Sequence, residues 1–123
     1  MFELTINGVV YQFKFGMGFM REINQTLKQS DGDVKKNVGL RYALAGIIDG
    51  DMEDLVNVLY AANKGFTPRV TKAVLDDYID NECEDIDKVF EDVKDFLQKA
   101  NATKKTMNQL LEMVEEQKTK AMK

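Results

Sequence analysis

The chain has no histidine and no tryptophan, and it carries one cysteine (Cys83), one proline (Pro68) and one serine (Ser30) among 123 residues. Ser/His and Cys/His nucleophile pairs therefore cannot form within it. Structural zinc, which takes mostly Cys and His ligands, is excluded as well, and a single thiol closes no disulfide loop. No apolar run approaches the roughly 18 residues of a membrane span, so no membrane partner is expected. The opening Met1-Phe2-Glu3-Leu4 lacks the basic n-region of a secretory leader, and the expected location is a cytoplasm. These absences point away from an enzyme, a metal site or a cofactor.

What is present is a globular composition, 44% hydrophobic and 31% charged, of a length that fits one domain over residues 1–123. The 17 basic and 21 acidic residues leave a net charge of −4, which argues against a nucleic-acid partner. The charge is uneven. Residues 76–95 hold ten acids against Lys88 and Lys94, and the lysines gather again after residue 103.

The pattern predicts a mainly α, α+β fold: an N-terminal β-hairpin followed by a bundle of about five to six helices. The hairpin spans residues 1–14. Phe2, Leu4 and Ile6 alternate with polar residues, and so do Val9, Tyr11 and Phe13 beyond Asn7-Gly8, the pair that suits a type I′ turn. Its apolar face must pack on helices or on another chain. A helical body covers 16–101. Met17, Met20, Ile23, Asn24 and Leu27 predict a first helix over about 17–29, broken by Ser30-Asp31-Gly32-Asp33. A second, over 36–48, is apolar nearly all round and reads as the central helix, ended by Gly50. Asp51 caps a third, with the stripe Met52, Leu55, Val56, Leu59 and Ala62, and Gly65 closes it. Thr67-Pro68 predicts a fourth over 68–81. Asp85 caps a fifth with the stripe Ile86, Val89, Phe90, Val93, Phe96 and Leu97, and a last helix over 103–121 can project from the body. Apolar residues at 86, 93, 100, 107 and 114 keep a seven-residue step, so one long helix over 86–121 competes with two.

The candidate sites are few. Gly16-Met17-Gly18 follows a strand and opens a helix, but a dinucleotide fingerprint needs a third glycine where Arg21 stands, within a parallel unit. The glycines read instead as a sharp hairpin-to-helix turn. Asp49, Asp51 and Glu53 space like a calcium loop, as do Asp80, Glu82 and Glu84, yet the required glycine is replaced by Asp54 and Asp85. A hydrolase using Asp76, Asp80 or Asp87 lacks neighbours that would split carboxylate pKa values. Asp87, Glu91 and Asp95 form an acidic ridge at i, i+4 and i+8, partly offset by Lys88–Asp92, Glu91–Lys94 and Asp95–Lys99. The ridge reads as a solvated face, a partner-binding patch or a mimic of DNA phosphates. Phe13, Phe15, Met17, Phe19 and Met20 crowd one turn. They read either as core or as an adaptable apolar surface, because one core face cannot take them all.

The runs Phe13-Lys-Phe-Gly-Met-Gly-Phe-Met-Arg-Glu-Ile-Asn24, Gly46-Ile-Ile-Asp-Gly-Asp-Met-Glu-Asp-Leu-Val56, Val58-Leu-Tyr-Ala-Ala-Asn-Lys-Gly-Phe-Thr-Pro-Arg-Val70 and Leu75-Asp-Asp-Tyr-Ile-Asp80 together resemble the tail assembly chaperones of long-tailed phages and prophages of Gram-positive bacteria. The resemblance covers about residues 1–105 and implies a non-enzymatic factor that coats the tape measure protein during tail tube assembly. It implies residence in the host cytoplasm and absence from the mature virion. It also implies self-association into rings or spirals, and a longer form of the protein made by ribosomal frameshifting. A client of varied helical sequence would then meet Phe13, Phe15, Met17, Phe19 and Met20 and the C-terminal stripe Met107, Leu110, Leu111 and Val114. The acidic ridge would steer basic client segments. An acidic DNA-mimic or inhibitor of a host nuclease or DNA-binding protein is the alternative.

Overall fold

A computed structural model describes residues 1–26 and 38–121, with no account of the side chains of residues 26 and 118–121. Leu27, the polar break at 30–33, the predicted helix start at 36 and Lys123 lie outside the described residues. Among the described residues an antiparallel hairpin, β1 (Phe2–Ile6) and β2 (Val9–Phe13), precedes six α-helices: α1 (Met17–Thr26), α2 (Val38–Asp49), α3 (Met52–Asn63), α4 (Lys72–Asp77), α5 (Ile86–Lys99) and α6 (Lys104–Ala121). The predicted α+β class, a hairpin and a helical bundle, is what the chain adopts.

In the hairpin, Phe2 pairs with Phe13, Leu4 with Tyr11 and Ile6 with Val9. The turn residues Asn7 and Gly8 sit at φ 52° and 81°, the left-handed pair that a two-residue loop demands. The hairpin lays its apolar face on the chain's own helices, with Phe2, Ile6 and Phe13 buried, so that face needs no second chain to cover it.

α2 is the central helix, packing against α1, α3, α5 and α6. It is not apolar all round in use: Leu40, Ala43, Leu44 and Ile47 are buried, whereas Tyr42 is 63% exposed. α1 departs from its predicted stripe in the same way. Phe19 and Ile23 enter the core and Met17 faces solvent. Asn24 presents its Oδ1 to the Leu40 N–H at 2.7 Å, satisfying one of the orphan donors at the start of α2. In α3, Asp51 accepts from the Asp54 N–H at 3.0 Å as the expected cap, although Met52 is exposed.

The largest correction concerns residues 64–82. Thr67–Pro68 does not open a helix; that peptide bond is cis and lies in a loop. The helix starts at Lys72 with Thr71 as its cap, accepting from the Val74 N–H at 3.1 Å, and then widens into a π turn over Tyr78–Glu82. The cause is Asn63. Its fully buried carboxamide donates to the carbonyls of Gln12 (2.9 Å) and Pro68 (3.3 Å) and accepts from the Val70 N–H (2.6 Å) and Arg69 Nη1 (3.0 Å). Holding Pro68 and Val70 on one side chain keeps that stretch out of helical register.

The 86–121 region forms two helices. Thr103 is buried at the break, where its hydroxyl donates to the Leu97 carbonyl at 2.7 Å and its own carbonyl accepts from the Met107 N–H. α6 does not stand apart over its first turns: Met107 is fully buried, and the helix packs on α2 and α5.

Two stability predictions follow from these contacts. A Cβ on Gly39 would fall 2.7 Å from both the Asn24 Cα and the Ile23 carbonyl oxygen, backbone atoms that cannot swing away. Gly39→Ala should therefore cost about 1–3 kcal/mol. Gly18 has open space and no positive φ, so Gly18→Ala in α1 should add about 0.5–1 kcal/mol. Urea titration of both variants checks the opposite signs. Asn63→Asp would set a carboxylate against the Gln12 and Pro68 carbonyls and should cost about 3 kcal/mol near neutral pH. Urea titration at neutral pH reads this loss, and an Asn63→Asp variant as stable as the parent would refute the assignment.

Candidate binding cleft

The aromatic cluster of the N-terminal turn divides between core and surface. Phe13, Phe15 and Phe19 are buried, at 0%, 4% and 3% exposure, so they do not present the open surface expected of them. Met20 is half-buried against the same core, and Met17 is 47% exposed. Phe15 meets Phe19 edge-on with ring centroids 5.3 Å apart. The two therefore share one side of the turn, as their spacing predicts, while Met17 points away.

Phe13, Phe15 and Met17 meet again along one wall of an open cleft of about 590 Å³. Met1 and Phe2 from the start of the chain, Lys14 and Gly16 from the hairpin-to-helix turn, Phe96 near the end of α5, and Ala100, Asn101 and Ala102 just after it complete the lining. Phe96 is the bridge: its ring lies 5.2 Å from that of Phe2 and 6.4 Å from that of Phe15. Around these rings the exposed Met1 and Met17 form a flexible, polarizable rim. The sequence reading found three of the lining residues and missed Phe2, Phe96, Ala100 and Ala102. Phe2 was visible as a strand residue and Phe96 as part of an apolar stripe, but nothing local joins residues so far apart in the chain.

The C-terminal stripe is only partly available. Met107 belongs to the core, and Leu110 and Leu111 pack against it from half-buried positions, with Val114 also half-buried. Leu111 lines a shallow, acid-rimmed depression with Gln98, Asn108, Glu112, Glu115 and Glu116. This depression and the cleft at the Phe13–Met20 turn share no lining residue.

The acidic window turns out to be largely structural. Asp85 caps α5 by accepting from the Lys88 N–H at 3.1 Å, Asp77 accepts from Asn81 Nδ2, and Glu82 accepts from the Asn7 N–H at 2.8 Å. The expected pairs are present, Lys88–Asp92 and Lys94–Glu91 at 3.2 Å and Lys99–Asp95 at 3.0 Å, exposed contacts that contribute little to stability. Asp87 lies in the first turn of α5, where the helix dipole favours an anion. Six of the ten acids thus serve caps, pairs or a turn, and the window is not a bare array of phosphate-like charges.

Two further groups among the described residues have shifted pKa values. Burial, with help from Asp51, Glu53 and Asp49, raises the Asp54 pKa above the usual carboxylate value, but Asp54 packs beside Gly46, not at a cavity. Burial and the neighbouring Cys83 thiol push the Tyr78 hydroxyl up to about 12. Among the described residues no group of three or more carboxylates or thiols is placed to hold a metal ion, and Gly16 and Gly18 adopt no positive φ that a phosphate-cradling turn would use.

The cleft should bind an apolar fluorescent probe at one site. Met17→Asp, at the rim, should weaken that binding by about fivefold or more and leave the unfolding temperature nearly unchanged. Unaltered probe affinity would place the apolar site elsewhere.

Comparison with known proteins gives one family. The model for "Phage tail assembly chaperone protein, TAC" matches residues 3–112. No curated protein and no solved structure matches the chain.

Proposed function

We propose, because the chain belongs to the phage tail assembly chaperone family, that it binds and solubilises the tape measure protein during tail tube assembly and catalyses no reaction. The observation that supports this reading is the cleft walled by Phe2, Phe13, Phe15 and Phe96 and rimmed by Met1 and Met17. A volume of about 590 Å³ accepts several bulky apolar side chains but not a whole helix. A client helix would therefore lie across the mouth and insert anchors spaced i, i+3 or i+4, and i+7. Methionines at the rim tolerate anchors of different shape, which suits a client whose sequence changes along its length.

The ion-paired outer face of α5 keeps the complex soluble and steers basic client segments, acting on association rate more than on affinity. On this reading the protein works in the host cytoplasm, leaves before the virion is complete, self-associates, and meets a longer, frameshifted form of itself. No observation favours the DNA-mimic alternative.

Co-expression with the tape measure protein, followed by pull-down in low and high salt, tests the proposal. Met17→Asp combined with Ala100→Glu should lower recovery of soluble client roughly tenfold at either salt concentration. Leu111→Asp with Val114→Asp should have a smaller effect. Full recovery with the cleft variant would exclude the cleft. Loss of binding in high salt, together with loss on neutralising Asp87, Glu91 and Asp95, would transfer the site to the acidic ridge.

A further inference from the structure

We propose that β1 pairs edge to edge with β1 of a second copy of this chain, antiparallel and centred on Leu4, forming a four-stranded sheet. The inference stands on the hairpin backbone and does not depend on the client reading.

A two-residue loop makes Ile6–Val9 a hydrogen-bonded pair, and alternation gives the same character to Leu4–Tyr11 and Phe2–Phe13. Glu3 and Thr5 on β1 therefore turn their N–H and C=O groups away from β2, as do Val10 and Gln12 on β2. The two outer edges then meet different fates. On β2, the Gln12 carbonyl accepts from Asn63 Nδ2, and the following Lys14 N–H donates to the Ala62 carbonyl at 2.9 Å. Helix α3 thus takes up the Gln12–Lys14 end of that edge, leaving Val10 beside the turn outside it. On β1, both residues are exposed, and among the described residues no group meets the outward N–H and C=O of Glu3 or Thr5. An edge strand with free donors and acceptors is a template for another strand.

The boundaries of the open stretch select the register. Glu82 already occupies the Asn7 N–H, with its two carboxylate oxygens at 2.8 and 3.1 Å, which closes the edge at the turn. A two-fold axis at Thr5 would bring Glu3 opposite this occupied Asn7. An axis at Glu3 would set two glutamates directly opposite one another, which is unfavourable. An axis at Leu4 pairs Glu3 of each copy with Thr5 of the other, making four hydrogen bonds with no like charges opposed. It also sets the two half-buried Leu4 side chains against each other in a non-hydrogen-bonded pair, where side chains approach most closely. The contact is isologous and closes as a dimer; a ring or spiral needs a second interface. One short strand pair makes it weak, in the roughly micromolar range or above.

Sedimentation or light scattering of the full chain over an approximately hundredfold concentration range should show a monomer–dimer equilibrium. Thr5→Pro deletes an outward N–H that the hairpin does not use, and it should raise the dissociation constant roughly tenfold to a hundredfold. In a Cys83→Ser background, Leu4→Cys should form a disulfide-linked dimer under mild oxidation, whereas Glu3→Cys, two residues out of register with itself, should not. The cross-linking arm decides the matter even if Thr5→Pro fails to fold. A monomer at every concentration overturns the proposal, and so does an oligomer in which Leu4→Cys fails to cross-link.

Discussion

The buried carboxamide of Asn63 is the joint on which the arrangement of the hairpin depends. An amide has two N–H donors and room for two acceptor contacts, and here all four are engaged by Gln12, Pro68, Val70 and Arg69. Full satisfaction matters because a buried polar group left half-bonded costs about 1–3 kcal/mol, whereas a complete network fixes one geometry. The distant strand β2 and the loop over residues 68–70 are thereby both tied to the last residue of α3. The guanidinium of Arg69, held on the Tyr60 carbonyl at 2.7 Å and over the Tyr60 ring, adds a second clamp on the same loop. With β2 fixed on α3, Phe13 is carried into the core and the Phe15–Met17 turn is placed beside the end of α5. The cleft is a consequence of that placement.

Legibility in the sequence follows the range over which each feature is decided. The Asn7-Gly8 turn, the Asp51 and Asp85 caps, the left-handed Gly50 and Gly65, and the three lysine–carboxylate pairs of α5 are all settled within about four residues, and each reads directly from residue type and spacing. The start of α4 is the counterexample. Thr67-Pro68 carries a strong local helix signal, and it loses to Asn63, which captures Pro68 and Val70 through tertiary hydrogen bonds invisible to periodicity. The break at Thr103 is similar, since the seven-residue register passes through it while the Thr103 hydroxyl turns back onto Leu97.

The candidate site was half legible for the same reason. Phe13, Phe15 and Met17 share one stretch of chain, so their crowding is apparent without a structure. Phe2 and Phe96 join them through ring contacts across most of the chain length. Periodicity also cannot say which of several apolar residues stays outside. Burial went to the branched and aromatic side chains of α1, Phe19 and Ile23, and left Met17 in water. An unbranched thioether loses less by exposure than a ring, and at a cleft rim it keeps conformations from which to meet different partners.

Helix α5 joins the two kinds of surface that the molecule offers. Its inner side places Val89, Phe90, Val93 and Leu97 in the core, and Phe96 near its end reaches the hairpin rings. Its outer side carries Asp87, Glu91 and Asp95, two of them held by neighbouring lysines. Pairing reduces the local field that ten acids would otherwise produce, so the charged side disperses the protein in water without dominating what binds to it. On the proposed function, affinity then rests on the cleft that Phe96 helps to wall, because removal of apolar area from water persists at salt concentrations that screen exposed charges. A single amphipathic helix thus separates solubility from grip. That separation suits the proposed function, in which apolar helices are held without the chaperone aggregating itself.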